Sequence, residues 1–332
     1  MHQVVLDTDV GIDDALMLMH LAAEPTVEIV AIGSTHGNCS STQAAINTIR
    51  VLDVLGLDQV PVAIGNESPV PNAVHSAHVH GADGLGDAGL PAPSRLPTGE
   101  RADAQIIRLA NERPGELTLI AVGTMTNLAV ALAQDPMVLT RYKAVWILGG
   151  ISHRPTAGER EMFDANIFNS PQAGDVLLGA DGPIHVMPID VTYRNVFSPE
   201  QIATIWASPT PQAEMARKIL PCYFDFYQER LGTRTCCVHD PSVSVAIVAP
   251  ELIQSVVRKP MIVEPVANRY QAVGLESGQP GFPEHRPPRT IVTAMDGIAA
   301  VQRVVDAIVQ EGQSAPGTRA SEKYSASRGD HR

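Results

Sequence analysis

The chain has 332 residues, of which 44% are hydrophobic and 18% charged, so it can bury a large core as one α/β domain or two smaller ones. Its net charge of -12 excludes the cationic surface that binding to nucleic acids requires. The sequence shows neither a membrane-length apolar run nor a signal-peptide pattern in its first residues, so we expect a cytoplasmic protein with no nucleic-acid or membrane partner.

Apolar runs alternate with amphipathic stretches along most of the chain. The runs predicted as strands cover residues 4–9, 27–38, 60–65, 117–123, 144–150 and 184–192. The stretches predicted as helices cover residues 12–23, 42–56, 102–112, 127–135, 171–179 and 198–207. Strands that are apolar on both faces and alternate with helices are typical of a mostly parallel sheet covered on both sides. We expect one domain over residues 1–312 and a disordered polar tail over 313–332.

Polar residues follow several of these predicted strands. They include Asp7, Asp9, His36, Asn38, Thr124, Thr126 and Asp190. Ligands of open parallel sheets bind beyond the carboxyl ends of the strands. The pattern therefore predicts a binding site at this edge of the sheet.

Four aspartates stand close together after the first predicted strand, at Asp7, Asp9, Asp13 and Asp14. The first two lie two residues apart, and the last two fall in the first turn of a predicted helix, where the dipole favours anions. Capping explains one or two of these carboxylates but not four. A hard divalent cation would offset their repulsion, and oxygen-only clusters suit calcium or magnesium. We favour a metal site over capping alone.

A second acidic position lies far along the chain, in the segment CCVHDPSVSVAIV of residues 236–248. Asp240 can be read as a helix N-cap with Pro241 as the first helical residue. It gains weight as a site residue only in combination with the N-terminal aspartates.

Eight sequence blocks along the chain resemble, in order, those of the inosine-uridine nucleoside hydrolase family. The blocks are DTDVGIDDA (7–15), GN (37–38), HVHGADGLG (78–86), GTMTNLAVAL (123–132), LGG (148–150), DANIFNSPQA (164–173), DVT (190–192) and HDPSVSVA (239–246). The resemblance reaches to about residue 310. It implies a single open, mostly parallel (mixed) Rossmann-like sheet with helices on both faces. It also implies calcium-dependent hydrolysis of the N-glycosidic bond of ribonucleosides, in a homodimer or homotetramer.

The resemblance also implies roles for individual residues. The calcium ligands it implies are Asp9, Asp14, Asp240 and the backbone carbonyl of Thr126. Asp9 is in addition the base that deprotonates the attacking water, and Asp7 lies behind the ligands. Asp13, Asn38 and Asn166 hold the ribose, and His239 lies beside the leaving base. This set suits the chemistry, because the bond breaks through an oxocarbenium-like transition state that nearby carboxylates stabilise.

The sequence departs from the family pattern at the ribose pocket. A Glu-aromatic-Asn triplet is replaced by Asp164-Ala165-Asn166, and Tyr193 stands where many members have His. We retain Asp164 as a substrate-binding residue. The reaction type is less affected by these changes than the identity of the substrate.

Two further groups are candidates for contact with substrate. His75, His78 and His80 lie in a Gly-rich stretch of residues 66–98, where solvated histidines are the common case, and His80 is the best candidate as part of a flap. Helical spacing places Tyr223 and Tyr227 on one face together with Phe226, which favours core packing but is also compatible with stacking against a base.

Two alternative functions remain open from the sequence. A phosphohydrolase of the haloacid dehalogenase type would use Asp7 as its nucleophile and Mg²⁺ as its ion, but it leaves Asp13, Asp14 and the His239-Asp240 pair without a role. A non-catalytic protein that binds calcium and a riboside is suggested by the altered triplet at residues 164–166.

Overall fold

The computed structural model describes residues 1–68, 76–156, 162, 164–266 and 269–310. The strands of this part are β1 (His2–Thr8), β2 (Val27–Ser34), β3 (Val62–Ile64), β4 (Thr98–Arg101), β5 (Thr118–Ala121), β6 (Ala144–Leu148), β7 (Ile184–Met187), β8 (Ile253–Lys259), β9 (Met261–Val266), β10 (Arg269–Gly274) and β11 (Arg289–Met295). His75 and the expected tail over 313–332 lie outside the described residues.

The helices of the described part are α1 (Ile12–Ala23), α2 (Ser41–Leu55), α3 (Ala77–His80), α4 (Ala102–Glu112), α5 (Thr126–Gln134), α6 (Ala165–Asn169), α7 (Pro171–Gly179), α8 (Ile189–Thr192), α9 (Pro199–Ala207), α10 (Pro211–Leu231), α11 (His239–Val248) and α12 (Gly297–Val309). Single 3₁₀ turns cover Val138–Arg141 and Pro250–Leu252. No helix among the described residues has both the length and the apolar character needed to cross a bilayer.

Nine strands form one mixed sheet in the order β4-β3-β2-β1-β5-β6-β7-β11-β8. All neighbours are parallel except β8, which runs antiparallel to β11, while β9 and β10 form a separate hairpin. This confirms the predicted open, mostly parallel sheet. The chain moves outward from β1 to β4 and then returns to place β5 on the other side of β1. The carboxyl ends of β1 and β5 therefore form the switch point, where such sheets bind ligands.

Helices cover both faces of this sheet and bury its apolar strands. One hydrophobic cluster packs α1, α10, α11 and α12 against one face, and a second packs α4, α5 and α7 against the other. Helix α1 is buried along its length from Ile12 to Leu21, because α2, α11 and α12 surround it. Each fully buried Leu or Met side chain contributes about 1.5–3 kcal/mol by leaving water. This packing fixes the start of α1, and hence its aspartates, beneath the switch point.

Most predicted elements are confirmed, but the segment predicted as a strand over 184–192 is not one strand. β7 ends at Met187, and residues 189–192 form the short helix α8 after Pro188. Proline cannot donate a hydrogen bond to a neighbouring strand, so the ladder stops there. Asp190 therefore lies within a helix, where its carboxylate accepts hydrogen bonds from the backbone and hydroxyl of Ser152.

Candidate active site

A cavity opens at the carboxyl ends of β1, β5 and β6 and is closed on one side by α10 and α11. The space between its walls is about 670 Å³ when the open mouth is included. The predicted site residues that line it are Asp9, Asp13, Asn38, His80, Asp164, Asn166, Tyr223, Tyr227, His239 and Asp240. Asp14 is buried directly behind this lining, and Thr126 is not part of it.

Three carboxylates converge at the floor of the cavity. Asp13, Asp14 and Asp240 each offer an oxygen within 4.8 Å of the other two, and all three are buried. Asp240 lies in the first turn of α11 and is not its N-cap, which is Val238. The reading of Asp240 as a cap is therefore wrong. Asp14 does have a capping role, because its Oδ2 accepts a hydrogen bond from the Gly11 N–H at 2.8 Å.

Asp9 lies beside these three carboxylates, just after the end of β1. Its Oδ2 accepts a hydrogen bond from the backbone N–H of Asn38 at 2.8 Å. The side-chain amide of Asn38 donates to Asp14 Oδ2 at 3.2 Å. The loop after β2 thus holds two of the acidic side chains in place.

Burial and mutual repulsion dominate the electrostatics of this cluster. Burial, followed by the charge of Asp14, raises the pKa of Asp9 well above its usual value. Burial and then the charge of Asp13 likewise raise the pKa of Asp14 and of Asp240, and burial raises the pKa of Asp13 to about 6. Carboxylates in such a place stay ionised only when a nearby positive charge offsets their desolvation.

The cluster has the chemistry of a site for a hard cation. Its donors are all oxygens, which calcium and magnesium prefer. Oδ1 of Asp13 is buried and has no hydrogen-bond partner in the described part of the chain. A buried, unpartnered carboxylate oxygen is costly unless a ligand or ion meets it. The residues present therefore fit a metal ion.

The backbone of β5 approaches the cavity through Val122 and not through Thr126. Val122 lines the cavity, and its carbonyl oxygen accepts a hydrogen bond from Nδ2 of Asn166 at 2.6 Å. Thr126 begins α5, and its hydroxyl lies 2.9 Å from Nε2 of His36. Thr126 itself is not part of the cavity lining, and His36 is buried beside it.

Asp7 is separated from the other aspartates. It is fully buried within β1, and its Oδ1 accepts a hydrogen bond from Nδ2 of Asn127 at 2.7 Å. Burial raises the pKa of Asp7 to about 7. Asp7 does not line the cavity, so it cannot present a nucleophile there, and this placement counts against a phosphohydrolase that depends on Asp7.

The far end of the cavity holds a hydrogen-bonded chain of three side chains. The hydroxyl of Thr192 lies 2.7 Å from Nδ1 of His239 and 3.2 Å from the Ile189 carbonyl oxygen. The Tyr227 hydroxyl lies 2.5 Å from Nε2 of the same ring. A neutral imidazole donates a hydrogen bond through one nitrogen and accepts through the other. Burial lowers the pKa of His239 to about 3, so its imidazole is neutral.

Tyr223 and His80 connect this end of the cavity to the carboxylates. The Tyr223 hydroxyl donates to Oδ2 of Asp13 at 3.0 Å. The ring of His80 lies 5.1 Å from that of Tyr223, and its Nδ1 accepts a hydrogen bond from the Ile12 N–H at 3.1 Å. Burial lowers the pKa of His80 to about 4. Both tyrosines on α10 are packed in the core and also present their hydroxyls to the site.

The altered triplet forms a second wall of the cavity. Asp164 caps α6, with one oxygen accepting from the Asn166 N–H at 2.9 Å and the other from the Gly150 N–H at 2.6 Å. Burial raises the pKa of Asp164 to about 6. Asn166 donates to the carbonyls of Val122 and Leu148. Both polar side chains are thus held by backbone groups at the ends of β5 and β6.

Comparison with known proteins agrees with this geometry. The sequence profile of the family described as inosine-uridine preferring nucleoside hydrolase matches residues 4–303. The chain belongs to this family. It is a ribonucleoside hydrolase, an enzyme that cleaves N-glycosidic bonds, and its substrates are small ribonucleosides.

Individual relatives support the same family. The hydrolase is 30% identical to uridine nucleosidase 1 of Arabidopsis thaliana over 252 residues, which cover 75% of each chain. It is 27% identical to the inosine-uridine preferring nucleoside hydrolase of Crithidia fasciculata over 254 residues, covering 76% of this chain and 80% of that one. In fold it is similar to a plant nucleoside hydrolase, with a TM-score of 0.85 at 24% identity over 93% of this chain and 99% of that one.

Several cavity residues of this hydrolase were not predicted as site residues from the sequence. They include Val122, Leu148, Ile189 and Arg230, while Thr192 does not line the cavity but contacts His239 from behind it. Thr192 could have been found only through its hydrogen bond to His239, which joins α8 to α11. Arg230 had a readable signal, because it lies one helical turn after Phe226 and three residues after Tyr227 on the same helix.

Proposed function

We propose that the enzyme is a calcium-dependent ribonucleoside hydrolase in which Asp9 is the general base. The observation that carries this proposal is that Asp14 and Asp240 offer oxygens within 4.8 Å of each other and of Asp13, beside Asp9. Oδ1 of Asp13 has no hydrogen bond among the described residues, which suits a contact with a sugar hydroxyl. Calcium accepts more oxygen ligands, and in a more flexible geometry, than magnesium. A site that must also admit sugar hydroxyls and a water favours calcium for that reason.

The calcium ligands in this proposal are the carboxylates of Asp9, Asp14 and Asp240 and the backbone carbonyl of Val122. Val122 takes the place that the sequence assigned to Thr126, because Val122 is the residue of this segment that lines the cavity. When bound, calcium supplies a positive charge that orients the ribose diol and acidifies a water. Asp9, fixed by the Asn38 N–H, takes the proton of the attacking water.

The ribose is held between the carboxylates and the cavity wall formed by residues 164–166. Asp13, oriented by the Tyr223 hydroxyl, accepts hydrogen bonds from the sugar hydroxyls. Asn38 and Asn166 contribute their amide oxygens to the same ring face. The carboxylates also stabilise the positive charge that develops on the sugar as the bond to the base breaks.

Departure of the base is assisted by Tyr227. Both ring nitrogens of His239 are engaged, by Thr192 and by Tyr227, so His239 acts through the tyrosine as a positioning residue. In this proposal Nε2 of His239 carries the ring proton and donates to the Tyr227 oxygen, which leaves the Tyr227 proton for the base. The C1′–N bond breaks with its electron pair going to the base nitrogen, and the Tyr227 hydroxyl donates to the departing base. His239 therefore keeps the role at the leaving group that the resemblance implied, but it acts on the base only through Tyr227.

The domain limits, assembly and location of the enzyme are further parts of the proposal. We expect residues 1–312 to form the catalytic domain, two or four copies to associate, and the protein to be cytoplasmic. Light scattering of the purified enzyme tests the assembly, and a monomer at micromolar concentration would contradict that part.

Turnover of uridine and inosine, followed by release of reducing sugar, tests the function. The names of the relatives make these two nucleosides the first choice. We expect ribose release that a calcium chelator abolishes and added calcium restores. Asp9→Asn should remove activity on both, whereas Asp58→Asn, the same change at an exposed position, should not. Turnover that is unaffected by chelation would contradict the proposal.

A further inference from the structure

Arg230 brings a positive charge to the cavity near the end of α10. Its side chain lines the cavity, and its guanidinium carbon lies 4.7 Å from the centre of the Phe226 ring. Phe226 in turn packs edge-on against Tyr227 at 5.0 Å and against His78 at 5.9 Å. A cation over an aromatic face is attracted to it, and this ring is itself fixed by two neighbours. Arg230 is thus held beside Tyr227.

The charges of the cavity are separated between its two ends. The acidic residues of the described lining are Asp9, Asp13, Asp164 and Asp240. Arg230 is the one Lys or Arg of that lining, within the part of the chain that the structure describes. Arg230 lies on α10, three residues after Tyr227. The positive charge is therefore at the end of the cavity lined by Tyr223, Phe226 and Tyr227, which we call the aromatic end.

The chemistry of glycosidic cleavage requires positive charge or a proton donor at that aromatic end. The electron pair of the C1′–N bond passes to the base, and its charge spreads onto the keto oxygens of the ring. A guanidinium is always protonated and has five N–H donors and no acceptor, so it matches keto oxygens and mismatches exocyclic amino groups. Uracil and hypoxanthine offer a keto oxygen where cytosine and adenine carry an amino group.

The geometry points to Arg230 as a residue that determines specificity and stabilises the departing base, so that keto bases are preferred to amino bases. This inference rests on the proposed function and names its substrate class. Uridine is preferred to cytidine, and inosine to adenosine. Arg230 is solvent-exposed, which limits the effect to about tenfold in kcat/KM, the range of one charge-assisted hydrogen bond.

The test compares Arg230→Met with Arg234→Met on uridine and cytidine at saturating calcium. Methionine keeps an apolar stem over Phe226 and removes the charge. Arg234 is the matched control, because it is also exposed and lies 5.9 Å from a ring, that of Phe224, but does not line the cavity. We expect the uridine-to-cytidine ratio of kcat/KM to fall about tenfold in Arg230→Met and to stay unchanged in Arg234→Met.

A third variant, Arg230→Lys, separates charge from packing. It should keep part of the preference for uridine, since it restores a cation without the planar fork. A role in packing alone would lower kcat/KM equally on both nucleosides in Arg230→Met, and that result would overturn the inference while leaving the proposed function intact. Wild-type enzyme that hydrolyses neither nucleoside would overturn the proposed function, and this inference with it.

Discussion

The hydroxyl oxygen of Tyr227 lies 2.5 Å from Nε2 of His239, and Nδ1 of the same ring lies 2.7 Å from the Thr192 hydroxyl. Residues on α8, α10 and α11 are joined by these two bonds. The imidazole has no nitrogen left to offer to a substrate, so the group that meets the departing base is the tyrosine hydroxyl. In this arrangement Tyr227 and His239 act on the base, whereas Tyr223 and Asp13 act on the sugar.

Tyr227→Phe should therefore lower activity in a way that depends on the leaving group. We expect a loss of kcat of about 10²-fold on uridine, the usual contribution of a proton donor, and little loss on a nitrophenyl riboside, which departs unaided. His239→Ala should follow the same pattern because it releases Tyr227. Steady-state kinetics on the two substrates provides the measurement.

Tyr223→Phe is the matched control, since it removes a hydroxyl from the same helix but one that is bonded to Asp13. Its effect should be equal on uridine and on the nitrophenyl riboside, because Asp13 acts on the sugar. If Tyr227→Phe also lowered both activities equally, the assignment of Tyr227 to the leaving base would be wrong.

A glycine in the loop after β2 makes room for the proposed base. A Cβ added to Gly37 would overlap Oδ2 of Asp9. Gly37→Ala should therefore displace Asp9 and lower both kcat and calcium affinity, while the fold persists. Gly99→Ala is the control, because a Cβ at Gly99 meets nothing within 4 Å. Full activity in Gly37→Ala would show that the position of Asp9 is not critical.

Nucleoside 5′-monophosphates should be poor substrates. The described lining contains four carboxylates and a single cation, and Arg230 lies at the aromatic end and not beside the sugar. A phosphate adds about 1.5 to 2 negative charges at neutral pH, which the carboxylates repel. We expect kcat/KM for uridine 5′-monophosphate to be far below that for uridine in parallel assays. Comparable values for the two would contradict this description of the site.

Much of the fold could be predicted from the sequence because its signals are local. Helix α1 begins at Ile12 and ends at Ala23, as its apolar spacing indicated, and the alternation of strands and helices predicted a mostly parallel sheet. The prediction of one strand over 184–192 was wrong because it followed the apolar pattern and gave no weight to Pro188, which lies between the end of β7 and the start of α8. A short apolar helix and a buried strand have similar composition over so few residues.

The site was predictable in its residue types but less so in its contacts. Ten of the predicted residues line the cavity, since the sequence blocks that contain them are also the ends of strands and the starts of helices. Thr126 was assigned from the TN pair of the family pattern, which does not fix which backbone segment after β5 lines the cavity; in the structure Val122 does so. The hydrogen bond between Tyr227 and His239 depends on the crossing angle of α10 and α11. That angle cannot be read from a sequence pattern.

The most direct test of the account is calcium binding to the chelator-treated enzyme, measured by titration calorimetry together with recovery of activity on uridine. We predict one tight calcium site per chain, with activity returning in proportion to its occupancy. Asp14→Asn and Asp240→Asn should each weaken that site and lower activity together, while Asp58→Asn should bind as the wild type does. Full activity in enzyme that has no bound calcium would contradict the account. So would a calcium affinity in Asp14→Asn or Asp240→Asn equal to that of the wild type.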